Sequence, residues 1–262
     1  MTTTTIRDEP RLVAPPRLIA AGIRANLLET VRVPMAVIGS VAFPALALLF
    51  FVVPQGAVRD DPSAATQSVI AMGVFAIMVG NLFSFGLTIA EAREKPWEPF
   101  VRSLPAGGGV RIIAHILSTG VVSLVSLLPL IVIGALLTSA EASPTGILFG
   151  LVAAAVTSLP FMLMGIAIGY AMSMKVALAV IQILFFALAF GGGLFLPPFL
   201  FPEWLDVLSK GLPSRQAREI VIWAVEGGSL APWAWIGMLA WIVVLAVAAL
   251  LLYRRDEGRR YR

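Results

Sequence analysis

The sequence predicts an all-α polytopic membrane protein with six transmembrane helices. The chain of 262 residues is 59% hydrophobic and 13% charged, whereas about a quarter of the residues in a soluble domain are charged. The charges are also clustered, which leaves six charge-free runs at residues 33–58, 62–90, 112–140, 142–174, 176–202 and 227–253. Each run exceeds the roughly 20 apolar residues with which an α-helix crosses a hydrocarbon core.

The first elements follow from these runs and their flanks. Residues 1–16 carry Thr, Pro and charge and are typical of a flexible cytoplasmic tail, and residues 17–262 are expected to form one transmembrane domain. Residues 17–32 place apolar side chains near one face, which favours an interfacial helix before Pro34 starts the first span. A helical extension of that span is the alternative. The six spans are expected at 34–54, 68–90, 112–137, 146–170, 176–196 and 232–253.

The cationic residues predict the orientation. With a cytoplasmic N-terminus, the inside segments collect fifteen of the 19 Lys and Arg residues, and the outside segments collect four, which are Arg59, Lys210, Arg215 and Arg218. Such an excess on one side follows the positive-inside rule. We therefore expect both termini in the cytoplasm and the chain in a bacterial cytoplasmic (inner) membrane. The basic balance then reflects topology, and no nucleic-acid partner is needed to explain it.

The segment between the fifth and sixth spans, residues 197–231, is longer than the other outer connections. Apolar residues recur there at helical spacing, first around Trp204 and Leu205 and again from Ala217 onward, with a break at Pro213. This pattern predicts two short amphipathic or re-entrant extracytoplasmic helices.

The loop between the second and third spans is strongly charged, with seven formal charges between Glu91 and Arg111. A solvated connector is the plain interpretation. However, the charges alternate in sign at helical spacing, and Trp97 and Phe100 are large aromatic residues of the kind that mark partner surfaces. We expect a short cytoplasmic helix that contacts a cytosolic partner.

The sequence lacks the residues that most chemistry requires. The expected spans contain no Asp, Glu, Lys or Arg, which disfavours a proton-coupled carrier. The chain has no cysteine and one histidine, His115, and it carries no HExxH, GxSxG or GxxxxGK[ST] motif. Catalytic, metal-binding and cofactor-binding residues are therefore not expected, and any ATP must be bound by another chain.

The order of these features resembles the permease subunits of type 2 ATP-binding-cassette exporters, over nearly the whole chain. In the first matching stretch, "EAREKPWEPFVRSLPAGG", paired acidic and basic residues precede a Ser-x-Pro close. It departs from the family pattern at Pro96–Trp97, where Gly-Thr is common, and at Pro99. The second stretch follows the fifth span with a Gly, spaced prolines and a Trp-Leu pair.

The resemblance implies that the loop holds a coupling helix, which would dock on an ATP-binding-cassette ATPase. The residues implied at this interface are Glu91, Arg93, Glu94, Lys95, Trp97, Glu98, Phe100 and Pro105. It also implies an extracytoplasmic gate, with Gly193, Pro197, Pro202, Trp204, Leu205 and Pro213. Two ATPase subunits holding ATP and Mg would drive two permease copies, identical or homologous, embedded in membrane lipid.

The function implied is that of a permease subunit, without enzymatic activity of its own, that forms the path for an amphipathic drug, antibiotic or lipid-like substrate. Multidrug efflux and antibiotic resistance belong to this expectation. A polysaccharide exporter of the same family is an alternative, as is a carrier or accessory membrane module that ATP does not drive.

Overall fold

A computed structural model describes the backbone of residues 15–32, 34–95 and 108–259, and the side chains of residues 16–30, 32, 42–95 and 113–256. Every regular element in these ranges is helical. The helices are α1 (Pro15–Arg32), α2 (Pro34–Phe51), α3 (Gly56–Arg59), α4 (Pro62–Glu94), α5 (Gly108–Val125), α6 (Leu127–Leu137), α7 (Pro144–Thr157), α8 (Leu159–Ala171), α9 (Met174–Gly191), α10 (Glu203–Lys210), α11 (Pro213–Glu226) and α12 (Pro232–Arg259), with a 3₁₀ turn at Pro198–Leu200.

Five described segments are long and apolar enough to cross a membrane. They are Pro62–Glu94, Ile113–Leu137, Pro144–Ala171, Met174–Gly191 and Pro232–Asp256. They correspond to the second through sixth predicted spans. In the region of the first predicted span, 34–54, the helix ends at Phe51, and Ala42–Phe51 is described as a shorter apolar helix. The chain is therefore a helical protein with several apolar, membrane-length segments, and the six-span arrangement stays a prediction.

Two of these segments are interrupted near their middle. The third span consists of α5 and α6, which meet at Ser126, and the fourth consists of α7 and α8, which meet at Ser158. Pro129 and Pro160 follow closely in the sequence. A proline removes a backbone donor and collides with the carbonyl four residues earlier, so the regular helix is broken at each position.

The second span is longer than the sequence predicted. The α4 helix begins at Pro62 because the Asp61 carboxylate accepts a hydrogen bond from the Ala64 amide at 2.7 Å and caps the first turn. Pro62 occupies the first helical position, where its missing N–H costs nothing. The charge-free run also begins at Pro62, but the polar residues of the first turns, Ser63, Thr66 and Gln67, led the predicted span to start at residue 68.

The α4 helix is also the centre of the bundle. It packs against α2, α8, α9 and α11, and its side chains contribute much of the buried core, including Phe75, Met78 and Leu82. The α1 helix packs on α5, where the Asn26 amide donates to the Ser118 hydroxyl at 3.1 Å. The bundle has two ends, which we call the Arg93 end, where α4 finishes, and the α11 end, where α4 begins.

Close helix crossings depend on glycine. A Cβ atom built on Gly165 would lie 3.1 Å from the Asn81 carbonyl oxygen and 3.2 Å from the Gly86 amide nitrogen, and one on Gly169 would lie 2.9 Å from the Gly86 carbonyl oxygen. Both glycines of α8 therefore face the backbone of α4, which allows the two helices to pack closely.

Candidate functional site

The predicted coupling loop leaves the bundle at the end of α4. Glu91 and Lys95 form an exposed ion pair one helical turn apart, with Oε1 and Nζ 2.9 Å apart. Lys95 is the last residue described before the loop. The other predicted interface residues, Trp97, Glu98, Phe100 and Pro105, lie outside the described residues. Their role, like that of Glu91 and Lys95, stays a prediction.

Arg93, in the same helical turn, points into the bundle. Its Nε donates to Asp256 Oδ1 on α12 at 2.9 Å, and its Nη2 lies 2.8 Å from the same oxygen. Its Nη1 donates to the carbonyl oxygens of Gly169 and Met172, at 3.0 and 3.1 Å. Gly169 lies in the last turn of α8, where carbonyl groups have no partner within the helix, and Met172 directly follows that turn. One guanidinium group therefore ties α4 to α8 and α12.

Glu94 connects α4 to a further helix. Its Oε1 accepts a hydrogen bond from the Met174 amide at 2.9 Å. Met174 is the first residue of α9, and a carboxylate satisfies one of the free amides there and favours the positive end of the helix dipole. We call this group the Arg93 junction. Its members are Arg93, Glu94, Gly169, Met172, Met174 and Asp256.

The predicted gate residues lie together near the α11 end, between α9 and α11. Gly193 has a φ of +73°, and a Cβ there would lie 2.7 Å from the Pro198 ring. Pro197 precedes the 3₁₀ turn, and Pro202 precedes α10. Of the remaining three, Trp204 is 68% exposed on α10, Leu205 is partly buried there, and Pro213 is buried at the start of α11. Their role as a gate stays a prediction.

The α11 helix carries a buried charged cluster. Arg215 donates to Glu219 Oε1 at 3.0 Å, and Arg218 donates to the same oxygen at 2.7 Å. Arg218 also donates to Gln67 Oε1 on α4 at 3.3 Å, and the Gln67 amide donates to Glu226 at 3.3 Å. Burial lowers the pKa of the Arg218 guanidinium, and Glu219 acts in the opposite direction. These bonds attach α11 to the first turns of α4.

Phenylalanine side chains form a continuous row between α2, α4 and α9. Ring centroids lie 5.6 Å apart for Phe43 and Phe75, 4.7 Å for Phe75 and Phe195, and 5.1 Å for Phe190 and Phe195. Phe186 and Phe190 leave 48% and 55% of their surface exposed on α9. We call this set the phenylalanine row. Its members are Phe43, Phe51, Phe75, Phe83, Phe185, Phe186, Phe190 and Phe195.

Reasoning from the sequence missed both the row and the Arg93 junction. The repeat of Phe186 and Phe190 at helical spacing was a usable signal for the row. For the junction, the signal was Asp256, an acidic residue between the last span and an otherwise basic tail. Neither signal identifies the residues that these side chains contact, because the contacting residues come from spans far apart in the sequence.

The described residues contain no group of three metal-ligating side chains. His115 is the edge partner of the Phe85 ring, with centroids 4.8 Å apart. The arrangement offers apolar surface, tight helix crossings and charged contacts at both ends. Such features suit movement of helices rather than reaction at a bound centre.

These observations define a multi-pass helical membrane protein whose second span is tied to the fourth, fifth and sixth at one end. Residues 17–225 match the model of the ABC-2 type transporter family. This match covers most of the chain, so the protein belongs to that family. It is a permease subunit of the kind that works with an ATP-binding-cassette partner.

A curated relative agrees with this assignment. The chain is 23% identical over 242 residues to "Putative transport permease YvfS" of Bacillus subtilis (strain 168), an alignment that covers 89% of this chain and 96% of that protein. The likeness extends over nearly the full length of both proteins.

Proposed function

We propose that this chain is the membrane-spanning permease subunit of an ATP-binding-cassette exporter, that a separate ATPase subunit drives it, and that residues 91–105 form its docking element. Family membership supports an ATPase partner. The observation that carries the proposal is the Arg93 junction. A cytosolic partner that displaced the loop would pull on α4, α8, α9 and α12 together, because Arg93 and Glu94 bond to all three neighbouring segments.

The same proposal includes a complex of two permease copies with two ATPases holding ATP and Mg, in a bacterial inner membrane with both termini in the cytoplasm. Closure of the ATPases would bring the docking elements together, and the rigid helices would change their tilt. The residues between α9 and α11, from Gly193 to Pro213, would open and close the exit.

For the substrate, we propose an amphipathic drug, antibiotic or lipid-like molecule. The exposed part of the phenylalanine row supports an apolar substrate, since Phe43, Phe186 and Phe190 offer ring faces without any hydroxyl or N–H group. A polysaccharide exporter of the same family stays the alternative, because aromatic side chains along a channel also suit the apolar faces of sugar rings.

The docking element is tested by purifying the tagged permease from native membranes and measuring the ATP-binding-cassette ATPase that co-purifies with it. We expect Trp97→Ala and Glu91→Arg to lose most of the ATPase, because both alter the proposed docking surface. Trp204→Ala is the matched control, since it removes an exposed tryptophan at the opposite end of the bundle. Glu94→Lys is unsuitable here, because it also removes the cap of α9. Equal recovery of the ATPase with wild type, Trp97→Ala and Glu91→Arg would refute the docking element.

The substrate class is tested separately in inverted membrane vesicles. We expect Phe186→Ala together with Phe190→Ala to reduce ATP-dependent uptake of a hydrophobic aromatic dye, while the ATPase still co-purifies. Phe149→Ala is the control, because Phe149 is 62% exposed on α7 and lies outside both the row and the proposed gate. Unchanged dye uptake in the double variant would exclude the row from the path.

A further inference from the structure

A cavity of about 210 Å³ lies at the α11 end, between α4, α6, α7 and α11. Its walls are aliphatic, with Ile77 from α4, Leu130 and Ile131 from α6, Leu151 and Ala154 from α7, and Val221 from α11. This cavity is separate from the Arg93 junction and from the phenylalanine row.

The polar groups at the rim of the cavity already have partners. The Thr66 hydroxyl donates to the Pro62 carbonyl oxygen at 2.7 Å and accepts from the Glu141 amide at 3.0 Å. Glu141 is the ionisable residue of the lining, and it is exposed at the rim. A polar ligand would therefore find no vacant partner along the inner walls, and water would be poorly held there.

The cavity is closed on most sides and open on one. The α11 helix packs against α7 and α4, and α4 packs against α6. The α6 and α7 helices are joined by a turn of only six residues, 138–143, yet they make few contacts with each other. Exposed apolar residues flank this seam, including Val132 and Leu136 on α6 and Leu148 and Val152 on α7. The seam therefore opens toward the hydrocarbon of the bilayer.

We propose that this cavity binds an acyl chain of a phospholipid from the leaflet at the α11 end. A void in the apolar part of a bilayer forfeits dispersion contacts, and acyl chains are the groups that adjoin the open seam. A dry cavity of about 150 Å³ in a protein core accepts benzene, so the larger cavity here accepts a segment of several methylene groups. The inference requires a bilayer and no transport activity, so it stands or falls independently of the proposed function.

The test uses purified protein in vesicles of phosphatidylethanolamine and phosphatidylglycerol that contain a phospholipid with a diazirine midway along one acyl chain. After illumination, mass spectrometry measures insertion at the inward-facing wall residues Leu130, Leu151 and Ala154. Insertion at the exposed residues Val243 and Val244 of α12 serves as the internal reference. We expect the wall residues to be labelled at least as strongly as this reference.

Two variants reduce the space. Ala154→Leu extends a side chain into the cavity, and we expect roughly tenfold less labelling of the wall, which corresponds to about 1.4 kcal/mol of binding free energy. Gly73→Ala adds one methyl group, whose nearest neighbour would be Leu127 at an ordinary 3.4 Å. It therefore keeps the fold even if Ala154→Leu does not, and we expect a smaller, two- to threefold loss, about 0.4 to 0.7 kcal/mol.

Each variant has a matched control. Ala155→Leu changes the next residue of α7, which is exposed and outside the cavity, and Gly120→Ala adds a methyl group that would meet no atom within 4 Å. Both should label like the wild type. Labelling of the wall well below the α12 reference in the wild type, or wall labelling unchanged in both Gly73→Ala and Ala154→Leu, would overturn the proposal.

Discussion

Arg93 joins three helical segments through one guanidinium group, and its environment differs from that of its neighbours on α4. Its side chain is 23% exposed and that of Asp256 is 6% exposed, whereas Glu91 is 48% exposed. A buried charge that loses its partner is costly, because desolvation is no longer compensated. Exposed pairs contribute little. The last turn of α4 therefore contains one residue that anchors the helix, Arg93, and one that is accessible to a partner, Glu91.

We predict that Arg93→Ala lowers the free energy of unfolding by roughly 3 kcal/mol, because it leaves the Asp256 carboxylate and two helix-end carbonyls without this donor. Glu91→Ala should cost less than about 1 kcal/mol. The measurement is SDS-induced unfolding in mixed micelles, followed by circular dichroism. Equal losses for the two variants would show that the Arg93 contacts do not stabilise the fold. A double-mutant cycle with Asp256→Asn should return a coupling between the two residues.

We predict that Glu94→Ala has a smaller, local effect of about 1 kcal/mol, typical of the loss of a helix cap. The physical reason is the free Met174 amide at the start of α9. Hydrogen exchange should accelerate at the first amides of α9 and remain unchanged at the start of α7, which Ser143 caps. Uniform acceleration in both helices would contradict a local cap.

At this scale the sequence indicated which residues are charged, and it could not indicate which way they face. Arg93 and Lys95 are two positions apart on α4, so their side chains point in different directions around the helix. Which direction is inward depends on where α8 and α12 pack, and that information lies some 80 and 160 residues away in the chain. The predicted list of interface residues therefore contained both an inward-facing residue, Arg93, and an exposed one, Glu91.

The crossing of α4 and α8 is a close helix contact that depends on glycine. Side chains at Gly165 and Gly169 would meet backbone atoms of α4, which cannot move aside without shifting the helix. In a bilayer the hydrophobic effect does not drive two helices together, because the lipid tails are as apolar as the side chains. Close approach at glycine instead stabilises the pair through van der Waals contacts between the helices.

We predict that Gly169→Ala destabilises the protein by about 1–3 kcal/mol, because the added methyl group would lie 2.8 Å from Ile89 Cβ and 2.9 Å from the Gly86 carbonyl oxygen. Gly120→Ala is the control, since its added methyl group meets no atom within 4 Å. The thermal unfolding midpoint in detergent distinguishes the two. A midpoint that stays constant for Gly169→Ala would mean that the helices separate easily.

The α11 helix depends on its polar bonds to α4. We predict that Arg218→Gln loosens it, because the bonds from Arg218 to Glu219 and to Gln67 are both lost. The chain has no native cysteine, so a spin label at an introduced cysteine reports mobility cleanly. The label placed at Ala224, a partly exposed residue of α11 that takes no part in these bonds, should gain mobility in Arg218→Gln. An identical spectrum in both backgrounds would assign the anchoring of α11 to apolar packing alone.

At the scale of elements, periodicity and charge predicted most helices well. The helix breaks inside the third and fourth spans were not predicted, because Pro129 and Pro160 lie within uniformly apolar runs. Hydropathy reports the polarity of side chains and carries no information about backbone geometry. The two short helices after the fifth span were predicted correctly from their apolar spacing, and Ala217, Ile220 and Val221 are buried as expected. The Trp204 side chain remains exposed, because α10 has few neighbours in this chain.

For the whole molecule, orientation is the property on which the proposed function depends. We predict that a single cysteine at Ser229 reacts with a membrane-impermeant maleimide in intact cells, whereas one at Ser103 reacts only after the membrane is permeabilised. The reason is the excess of cationic residues on the Ser103 side. Reaction at Ser103 in intact cells would place the loop outside and remove the docking of a cytosolic ATPase.

The fold class, a helical protein with several membrane-length apolar segments, followed from composition. The six-span topology stays a prediction. The cavity and the phenylalanine row did not follow from composition, because both are made where three or four spans converge. The single sequence supplies the faces of each helix and not their neighbours, so the fold class was accessible and the site geometry was not.

The length of α4 has a mechanical consequence. At 33 residues, the helix is about 50 Å long, well beyond the thickness of the hydrocarbon it crosses. If it pivots near one tip as a stiff beam, a rotation of about 5° sweeps the other tip through roughly 4 Å. Under the proposed function, a small rotation at the Arg93 end would thus become a displacement of several ångströms at the α11 end, where the predicted gate residues lie.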